Sequence, residues 1–490
     1  MTMLPDPLAR RAELTPERIA FEMQRDGRET SYGALDRAAG RAAAMLAREG
    51  VRAGDRVAML AHNRIEFFEL LFACARLGAI MVPLNWRLAT PELAAVIADC
   101  EPMLLFHEAG LVQAARAAVP DGVRLRSLDG DYLQGSGEGL GPRLSGADEC
   151  WYLLYTSGTT GRPKGVIQTY GMAQANHVNV RTAIGLGEDE VTLAILPLFH
   201  TAGINLYALP TLFAGGRVIL GDFEAGATLR TLAGGRVTSM FGVPTIYQAL
   251  SDQPGFAAAD LSRVRFFGSG GGALPEALQR RWLERGLILC NGMGMTETGP
   301  TAFVMDRANA PHRIGSVGKT QLLLQARLVS GGRDVGPGEV GEIWFAGASV
   351  TPGYWRQPEA TAAAFSPDGW LKSGDLARRD ADGFHYVVGR AKEMFVSGGE
   401  NVYPAEVEAV LLRHPAVVEA AVVGAPDPIW GEVGHAYVVA RAPVTVDALA
   451  RFCRERLAAY KVPRDFGFVA RLPRNAAGKV EKRLLVEDAL

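Results

Sequence analysis

The chain has 490 residues, of which 48% are hydrophobic and 21% are charged, and its formal net charge is −2. Its length predicts about two to four folding units, and its composition supplies a large core and excludes wholesale disorder. Positive and negative charges are balanced and form no long runs, which excludes a general binder of nucleic-acid backbones.

The sequence has no feature that points to a membrane or to secretion. No apolar stretch approaches the roughly 20 uninterrupted residues that a membrane-spanning helix needs. The N-terminal residues lack the apolar segment of a secretory signal. The five cysteines are dispersed without a CxxC pair, which argues against a disulfide framework and a thiolate metal site. We therefore predict a cytoplasmic protein.

Helix-like and strand-like segments alternate along the first part of the chain. Apolar residues recur at helical spacing over residues 35–47 and 65–77, and a short apolar run typical of a buried strand follows each stretch. Thr90 is the predicted N-cap of the next helix, with Pro91 at its first position. The same rhythm returns over residues 191–289. This alternation predicts parallel sheets covered by helices, with ligands at the carboxyl ends of the strands.

The pattern changes after about residue 385, where a strand-like segment, a helix beginning at Pro404 and two further strand-like segments follow one another. A small α+β unit fits this order. We therefore predict an α/β protein with two domains. Residues 1–391 form a large N-terminal domain of parallel-rich sheets covered by helices, and residues 392–490 form a small, mobile α+β C-terminal domain.

The clearest chemical signal is LLYTSGTTGRPKGV, residues 153–166. Its glycines allow backbone N–H groups to turn inward, its hydroxyls add donors, and Lys164 supplies a compact positive charge, which together suit a phosphate group. The spacing of its glycines does not match the GxxxxGK[ST] pattern of a Walker A loop. The segment therefore predicts a phosphate-binding loop of another kind.

This loop resembles the signature of the acyl-adenylate-forming superfamily, which includes acyl-CoA and aryl-CoA synthetases, luciferases and peptide-synthetase adenylation domains. Further segments resemble the other motifs of that family and follow in its order, so the resemblance spans nearly the whole chain. These segments are LPLFHTAG (196–203), GSGGGALP (268–275), NGMGMTETGP (291–300), GWLKSGDLARRDADGFHYVVGRAKEMFVSGGENVYPAEVE (369–408) and PRNAAGKVEKRLL (473–485).

The resemblance implies an AMP-forming acid–thiol ligase that uses ATP, Mg²⁺ and coenzyme A. An acid and ATP give acyl-AMP and pyrophosphate, and acyl-AMP and CoA then give acyl-CoA and AMP. Joining a carboxylate to the α-phosphate brings two anions together, so positive charge must lie where negative charge develops. The implied catalytic residues are Lys164, His200, Thr296, Glu297 and Lys479. The implied nucleotide-binding residues are Thr156, Ser157, Gly158, Thr159, Thr160, Gly161, Gly272, Ala273, Gly292, Met293, Gly294, Asp375 and Arg390.

Individual roles follow from the same resemblance. Thr156 and Glu297 would hold Mg²⁺, a hard cation that prefers oxygen ligands. Asp375, assisted by Arg390, would accept both ribose hydroxyls, since a carboxylate is purely an acceptor. Lys479 would bridge the acid and the α-phosphate during adenylation only.

The resemblance also implies that the C-terminal domain rotates between two poses, one for each half-reaction. Lys392 matches the hinge, where a residue must absorb a large change of backbone dihedral angles. In the second pose Gly398 and Gly399 would line a tunnel for the pantetheine arm of CoA, where the absence of side chains allows close approach. Trp430 would rest against CoA.

The acyl pocket is the least defined part of the site. His200 is expected beside the acyl carboxylate, and the other pocket candidates contain neither Lys nor Arg to meet a second carboxylate. Met293 stands where most relatives carry an adenine-stacking Tyr, and its sulfur and methyl group can cover a ring face. The pocket candidates are His200, Gly203, Phe241, Gly242, Val243, Gly270, Gly271 and Met295.

The predicted substrate is an aryl or phenylpropanoid acid. A medium- or long-chain fatty acid is the alternative, because the pattern resembles feruloyl- and coumarate-type synthetases and fatty acyl-CoA synthetases about equally. A homodimer stays open as the assembly, and no nucleic-acid partner is expected.

Three other classes of function compete. A carrier-protein-charging adenylation unit usually has Asp at the position of His200. A non-catalytic nucleotide-binding relative is disfavoured because Lys164, Glu297, Asp375 and Lys479 are all retained. A dehydrogenase would use the G-x-G-x-x-A match of residues 268–273, but the next strand-like segment ends at Asn291 where an acidic residue is needed.

Overall fold

The computed structural model describes residues 2–130, 132–134, 137–157, 163–397, 400–475 and 478–489, with the backbone alone for residues 157 and 487–489. Within this part of the chain, no helix combines the length and the apolar character that a bilayer crossing requires.

The first sheet is built by alternating strands and helices, as predicted. Its strand order is β10-β9-β5-β4-β6-β7, with the β9–β10 hairpin antiparallel and the remaining pairs parallel. The elements of this region are β1 (Met3–Leu4), α1 (Pro7–Leu14), β2 (Ile19–Met23), β3 (Glu29–Ser31), α2 (Tyr32–Arg48), β4 (Arg56–Leu60), α3 (Glu66–Leu77), β5 (Ile80–Pro83), α4 (Thr90–Cys100), β6 (Leu104–His107), α5 (Val112–Ala118), β7 (Arg124–Ser127), β8 (Ser145–Gly146), β9 (Cys150–Ser157) and β10 (Pro163–Thr169).

The predicted start of α4 is wrong by one residue. Thr90 is already helical and Ala89 is the N-cap, with Pro91 at the second helical position. The carboxylate of Glu92 accepts a hydrogen bond from the backbone N–H of Ala89 at 2.9 Å. A carboxylate at the third helical position therefore serves the helix start in place of the Thr90 hydroxyl.

The second sheet carries most of the site. Its order is β17-β16-β15-β14-β13-β11-β12-β2-β3, and the pairs from β15 to β2 are parallel. The elements of this region are α6 (Tyr170–Ile184), β11 (Val191–Ala194), a π-helix (Ala202–Leu206), α7 (Ala208–Ala214), β12 (Arg217–Leu220), α8 (Ala225–Ala233), β13 (Ser239–Gly242), α9 (Pro244–Ser251), β14 (Phe266–Ser269), α10 (Glu276–Leu283), β15 (Leu289–Met293), β16 (Phe303–Val304) and β17 (Lys319–Thr320).

Helices cover both faces of this sheet. On one face Phe267 of β14 packs with Tyr247 and Trp282 in a buried cluster. On the other face Phe266 packs with Tyr207 and with side chains of α6 in a second cluster. Side chains alternate between the two faces along each strand, so consecutive residues of β13 and β14 belong to different clusters.

A third, antiparallel sheet follows in the order β19-β18-β20-β21-β22. Its elements are β18 (Leu324–Ser330), β19 (Arg333–Asp334), β20 (Val340–Gly347), α11 (Pro358–Ala364), β21 (Leu371–Arg379) and β22 (His385–Arg390).

The C-terminal unit has its own mixed sheet and its own core. Strands β23, β25 and β27 all pair with β26, and the β26–β27 pair is parallel. A buried cluster that includes Val407, Val438 and Leu449 lies between this sheet and its helices. The elements are β23 (Phe395–Ser397), β24 (Glu400–Val402), α12 (Pro404–Leu411), β25 (Val417–Asp427), β26 (Gly431–Ala440), α13 (Val446–Arg454), β27 (Asp465–Phe468) and α14 (Lys482–Ala489).

The predicted fold class, a large domain of parallel-rich sheets covered by helices followed by a small α+β domain, is confirmed. The predicted boundary between residues 391 and 392 falls in the interval between β22 and β23 and stays a prediction. Across the two units, Arg413, two residues after the end of α12, forms an ion pair with Glu276 of α10 at 2.9 Å.

Candidate active site

The candidate site lies where parallel strands of the second sheet end. Strands β11, β13, β14 and β15 are consecutive parallel neighbours, so their carboxyl ends meet at one edge of the sheet. The segments that follow these strands carry the predicted pocket and nucleotide residues, from His200 to Glu297. This is the edge at which open α/β sheets bind ligands.

The phosphate-loop lysine stands on a hairpin. Lys164 of β10 pairs directly with Thr156 of β9, so the two lie side by side. The Nζ atom of Lys164 lies 4.9 Å from the centroid of the Tyr354 ring, over its face. Ser157 ends β9, while Gly158, Thr159, Thr160 and Gly161 lie outside the described residues.

Glu297 is a buried acid at the start of the segment after β15. Only 7% of its surface is exposed, and Tyr354 Oη donates a hydrogen bond to Glu297 Oε1 at 3.0 Å. Burial raises the pKa of Glu297, while the Tyr354 hydrogen bond and the positive charges of Lys479 and Lys164 act in the opposite direction. The charged form of Glu297 therefore depends on its cationic neighbours.

The backbone of this segment is fixed from the β10 side. Gln168 donates from Nε2 to the carbonyl of Thr296 at 3.0 Å, and the N–H of Thr351 donates to the carbonyl of Glu297 at 2.8 Å. The hairpin that carries Lys164 therefore positions Thr296 directly, and it positions Glu297 through Thr351, whose hydroxyl donates to the carbonyl of Ile167 in β10 at 2.7 Å.

Asp375 of β21 and Arg390 of β22 form an ion pair. Arg390 Nε lies 2.9 Å from Asp375 Oδ1, and the residues are paired in register across the two strands. Asp375 is 7% exposed, and burial raises its pKa against the opposing charges of Arg390 and Lys479. The two residues that the resemblance assigns to the ribose are therefore in contact.

The C-terminal unit contributes Lys479 to this group. Its loop is closed by hydrogen bonds from the N–H of Asn475 to the carbonyl of Lys479 at 2.9 Å and from the N–H of Lys479 to Asn475 Oδ1 at 3.0 Å. Lys479 is exposed as a residue, yet surrounding protein atoms partly desolvate its ammonium and lower its pKa. Arg390 also lowers this pKa, whereas Asp375 and Glu297 raise it, so all three lie within electrostatic range.

His200 faces the same cleft. It follows Phe199, whose ring centroid lies 4.6 Å from the imidazole. Burial, followed by the positive charges of Lys479 and Arg87, lowers the pKa of His200 to about 4. The imidazole is therefore neutral at physiological pH, and it can accept or donate a hydrogen bond without adding charge.

The predicted pocket residues divide between the two faces of the sheet. A Cβ atom on Gly270 would lie 3.1 Å from the Phe241 ring, so Gly270 and Phe241 share one face. A Cβ atom on Gly242 would instead meet Ile246 of α9 at 3.1 Å. Side chains alternate along β13, so Gly242 faces α9, and its place in the acyl pocket stays a prediction.

The remaining pocket candidates line the same edge. Gly203 lies in the π-helix after His200, where a Cβ atom would come within 2.1 Å of the Pro197 carbonyl oxygen. Val243 is the N-cap of α9, and Gly271 lies against it with a φ of 75°. Met295 is half-buried against the cluster of the third sheet.

The nucleotide-side residues lie at the ends of β14 and β15. Gly272 and Ala273 are exposed in the loop before α10, and Gly292 and Met293 end β15. Met293 packs against the cluster that contains Phe303, so its side chain is held in place. A Cβ atom on Gly294 would lie 1.4 Å from the carbonyl oxygen of Pro300, so only glycine fits at position 294.

The predicted hinge and CoA residues are only partly described. Lys392 is exposed in the turn between β22 and β23. Trp430 is 43% exposed, and its N–H donates to Asp427 Oδ1 at 2.9 Å in the turn between β25 and β26. Trp430 is therefore not part of the domain core, and its contact with CoA stays a prediction. Gly398 and Gly399 lie outside the described residues.

The side chains of the site suit Mg²⁺ and a nucleoside triphosphate. Among the described residues, no group of three or more His, Cys, Asp or Glu side chains forms a metal cage. Mg²⁺ usually binds through one or two carboxylates and takes its other ligands from phosphates and water. Glu297, with the Thr156–Lys164 pair close by, offers such an incomplete set beside positive charge.

Sequence reasoning missed Tyr354, Gln168 and Gly268. Tyr354 holds Glu297, and Gln168 holds Thr296. Both residues lie outside the motif segments named above, and nothing in their spacing indicates these contacts. Gly268 could have been found, because strand alternation places it on the same face as Gly270.

Comparison with known proteins identifies the family. Residues 8–355 match the AMP-binding enzyme family, and residues 406–479 match the AMP-binding enzyme C-terminal domain. The chain is 44% identical over 478 residues to a feruloyl-CoA synthase from Amycolatopsis sp, covering 96% of each chain. It is 39% identical over 491 residues to an indoleacetate–CoA ligase from Aromatoleum aromaticum, covering 96% of this chain and 95% of the relative.

The solved structures agree with this result. The o-succinylbenzoate CoA synthetase from Bacillus subtilis, in complex with its acyl-adenylate intermediate, superposes with a TM-score of 0.91 at 35% identity and covers 99% of this chain and 98% of its own. The same synthetase in complex with ATP and magnesium also gives a TM-score of 0.91, at 35% identity, with 99% and 100% coverage. The chain therefore belongs to the AMP-binding enzyme family, and the likeness that its motifs indicate extends over both of its units.

Proposed function

We propose that this enzyme joins an aryl acid to coenzyme A, first forming acyl-AMP and pyrophosphate from ATP and then transferring the acyl group to the CoA thiol. The observation that carries the proposal is the convergence of Lys479 with Glu297, Asp375 and His200 in one cleft. CoA ligation is the activity named for the relatives, and their acids carry aromatic rings. The predicted reaction class and the predicted cofactors ATP, Mg²⁺ and CoA are confirmed.

Positive charge at three points supports the first half-reaction. The carboxylate of the acid approaches an α-phosphate that is itself anionic. Further negative charge develops on the phosphate oxygens as the new bond forms. Lys164 would neutralise the outgoing phosphates, and Lys479 would lie between the acid and the α-phosphate. Mg²⁺, held by Glu297 and Thr156, would withdraw charge from the phosphate oxygens.

The pocket end of the cleft supports an acid with one carboxylate. Phe241 is only partly buried and lies beside Gly270, which has no side chain, so Phe241 can offer an aromatic face to a flat ring. His200 would orient the acid carboxylate as a neutral donor, because its pKa is too low for it to be charged.

Rotation of the C-terminal unit would separate the two half-reactions. In the observed pose Lys479 is close to Asp375 and Glu297, as adenylation requires. The units are joined across this pose by the half-exposed Arg413–Glu276 ion pair, a contact that is inexpensive to break. Residues 1–391 and 392–490 would then move as two bodies about Lys392.

The location and the assembly are further proposals. We infer a cytoplasmic enzyme from the sequence features described above, and a homodimer is the assembly to be tested by light scattering.

The decisive experiment is a substrate panel with ATP, Mg²⁺ and CoA. We expect planar aryl acids to drive formation of AMP and of a thioester, both of which chromatography resolves. Turnover of only octanoate and longer saturated acids would assign the fatty-acid alternative instead. Amino-acid-dependent pyrophosphate release without a CoA ester would indicate a carrier-charging unit, and no release with any acid would indicate a non-catalytic relative.

Replacement of Lys479 separates the half-reactions. Lys479→Ala should slow acyl-AMP formation about 10²- to 10³-fold, the usual effect of removing one group that stabilises developing charge. Thioester formation from supplied acyl-AMP should stay close to the wild-type rate, measured by rapid quench. Arg471→Ala, which removes an exposed charge from the same unit, is the control. Equal losses in both steps would contradict the separate roles.

Proline at the hinge should hold the enzyme in its first pose. Lys392→Pro fixes φ near −65° and restrains the preceding residue, so the unit cannot turn freely. We expect acyl-AMP to accumulate while CoA ester formation falls, measured as the ratio of the two products. Lys392→Ala removes the same side chain without the ring and should behave like the wild type. Normal ester formation in the proline variant would exclude the hinge at this position.

The pKa of His200 reports whether Lys479 of the C-terminal unit lies beside it. Lys479→Ala removes a positive charge that disfavours imidazolium, so the pKa of His200 should rise from about 4. It should remain below the ordinary value of 6.5, because burial is the larger cause. An NMR titration of labelled histidines, assigned with His200→Gln, measures this. An unchanged pKa would mean that Lys479 is not beside His200 in solution.

A further inference from the structure

Tyr207 is a buried residue whose hydroxyl makes no hydrogen bond to any described residue. The residue directly follows the π-helix at 202–206, and it is only 6% exposed. Its ring packs edge-on against Phe241, with centroids 5.8 Å apart, and against Phe266 at 6.4 Å. Buried tyrosine hydroxyls normally find a partner, because an unpaired one loses its hydration without compensation.

Three other buried tyrosines of this chain follow that rule, whereas the hydroxyl of Tyr170 also lacks a partner among the described residues. Tyr32 Oη donates to the carbonyl of Gly216 at 2.6 Å, and Tyr152 Oη bonds Asn205 Oδ1 at 2.6 Å. Tyr247 Oη donates to the carbonyl of Gly268 at 2.6 Å. Tyr247 and Tyr207 lie on opposite faces of β14, and only Tyr247 uses that strand as a partner.

The Tyr207 hydroxyl lies against the acyl-slot face of β14. A Cβ atom on Gly268 would come within 2.2 Å of Tyr207 Oη and 2.9 Å of the Phe241 ring. A Cβ atom on Gly270 would meet the other end of the Phe241 ring, at 3.1 Å. Gly268 and Gly270 therefore leave room on one face for Tyr207 and Phe241, and any larger residue at 268 would displace the hydroxyl.

The position along β14 places this hydroxyl at the inner end of the slot. Gly270 follows the strand at its carboxyl end, next to Gly292 and the segment that leads to Glu297. Gly268 lies two residues farther in, a distance of about 7 Å along a strand. The charged groups and the Tyr207 hydroxyl thus lie at opposite ends of the slot.

We propose that Tyr207 determines acyl specificity by hydrogen bonding a polar substituent at the end of an aryl acid remote from its carboxylate. The inference rests on the proposed aryl-acid ligase activity and adds a chemical requirement to it. A phenolic hydroxyl can donate to or accept from Tyr207, and it supplies the partner that the protein does not. An acid without that group leaves the Tyr207 hydroxyl unpaired in the complex.

The test compares two acids that differ only in this group. Wild-type enzyme should show a higher kcat/KM for 4-hydroxycinnamate than for cinnamate. Tyr207→Phe should reduce that ratio about tenfold or more, since a site that binds a substrate hydroxyl discriminates strongly against its absence. The ratio should fall through loss with 4-hydroxycinnamate, while turnover of cinnamate is kept or improved.

Tyr247→Phe is the matched control. It removes a tyrosine hydroxyl from the opposite face of the same strand, where Gly268 already accepts its hydrogen bond. We expect it to lower the melting temperature and to leave the ratio of the two acids unchanged. Tyr207→Phe, which loses no hydrogen bond within the protein, should melt at or above the wild-type temperature.

The outcomes distinguish this inference from the proposed function. Turnover of both acids with an unchanged ratio in Tyr207→Phe, or a parallel loss with both acids, would overturn the role of Tyr207 and leave the aryl-acid ligase intact. Failure of the wild type with every aryl acid would overturn the proposed function, and the inference with it. Should Tyr207→Phe fold poorly, Gly268→Ala gives the same test, because its Cβ displaces the hydroxyl and should reduce the same ratio.

Discussion

Two buried carboxylates that share one lysine govern the architecture of this site. Glu297 and Asp375 are each 7% exposed, and burial of a carboxylate is costly unless positive charge or donors compensate. Their own neighbours, Tyr354 for Glu297 and Arg390 for Asp375, provide part of that compensation. Lys479 provides more, and it comes from the separate C-terminal unit. The electrostatics of the large domain are therefore linked to where the C-terminal unit lies.

This link gives a physical reason for ordered steps. When ATP occupies the cleft, its phosphates add negative charge and strengthen the attraction of Lys479. Departure of pyrophosphate removes much of that charge, and the remaining contact between the units includes a half-exposed ion pair of small energy. Under the proposed rotation, the C-terminal unit would then be less strongly held in its first pose. Release of a product would thus favour the proposed movement that admits CoA, without a dedicated signalling element.

The general layout of the fold could be predicted from the sequence more completely than the side-chain contacts between its motifs. Parallel strands whose carboxyl ends meet bring residues near 200, 241, 270 and 297 together, and the helix–strand rhythm alone indicated that edge. The face on which Gly242 lies could not be predicted, because it depends on register, which single residues do not reveal. The contacts of Tyr354 and Gln168 were not predicted, because their partners are distant in sequence and neither residue belongs to a charged cluster. Thr90 was misplaced because the Glu92 carboxylate, two residues later, satisfies the helix start.

The polar groups at the two ends of the acyl slot favour an acid of fixed length over a flexible chain. In the proposed roles, His200 and Lys479 would meet the carboxylate at one end, while the Tyr207 hydroxyl would lie at the other beside Phe241. A saturated chain would place methylene groups against the unpaired Tyr207 hydroxyl and would also lose its own conformational freedom on binding. A planar ring with a terminal hydroxyl loses little freedom and satisfies both ends at once. The interior of the slot therefore discriminates by hydrogen bonding as well as by shape, and the absence of a side chain at Gly268 makes that arrangement possible.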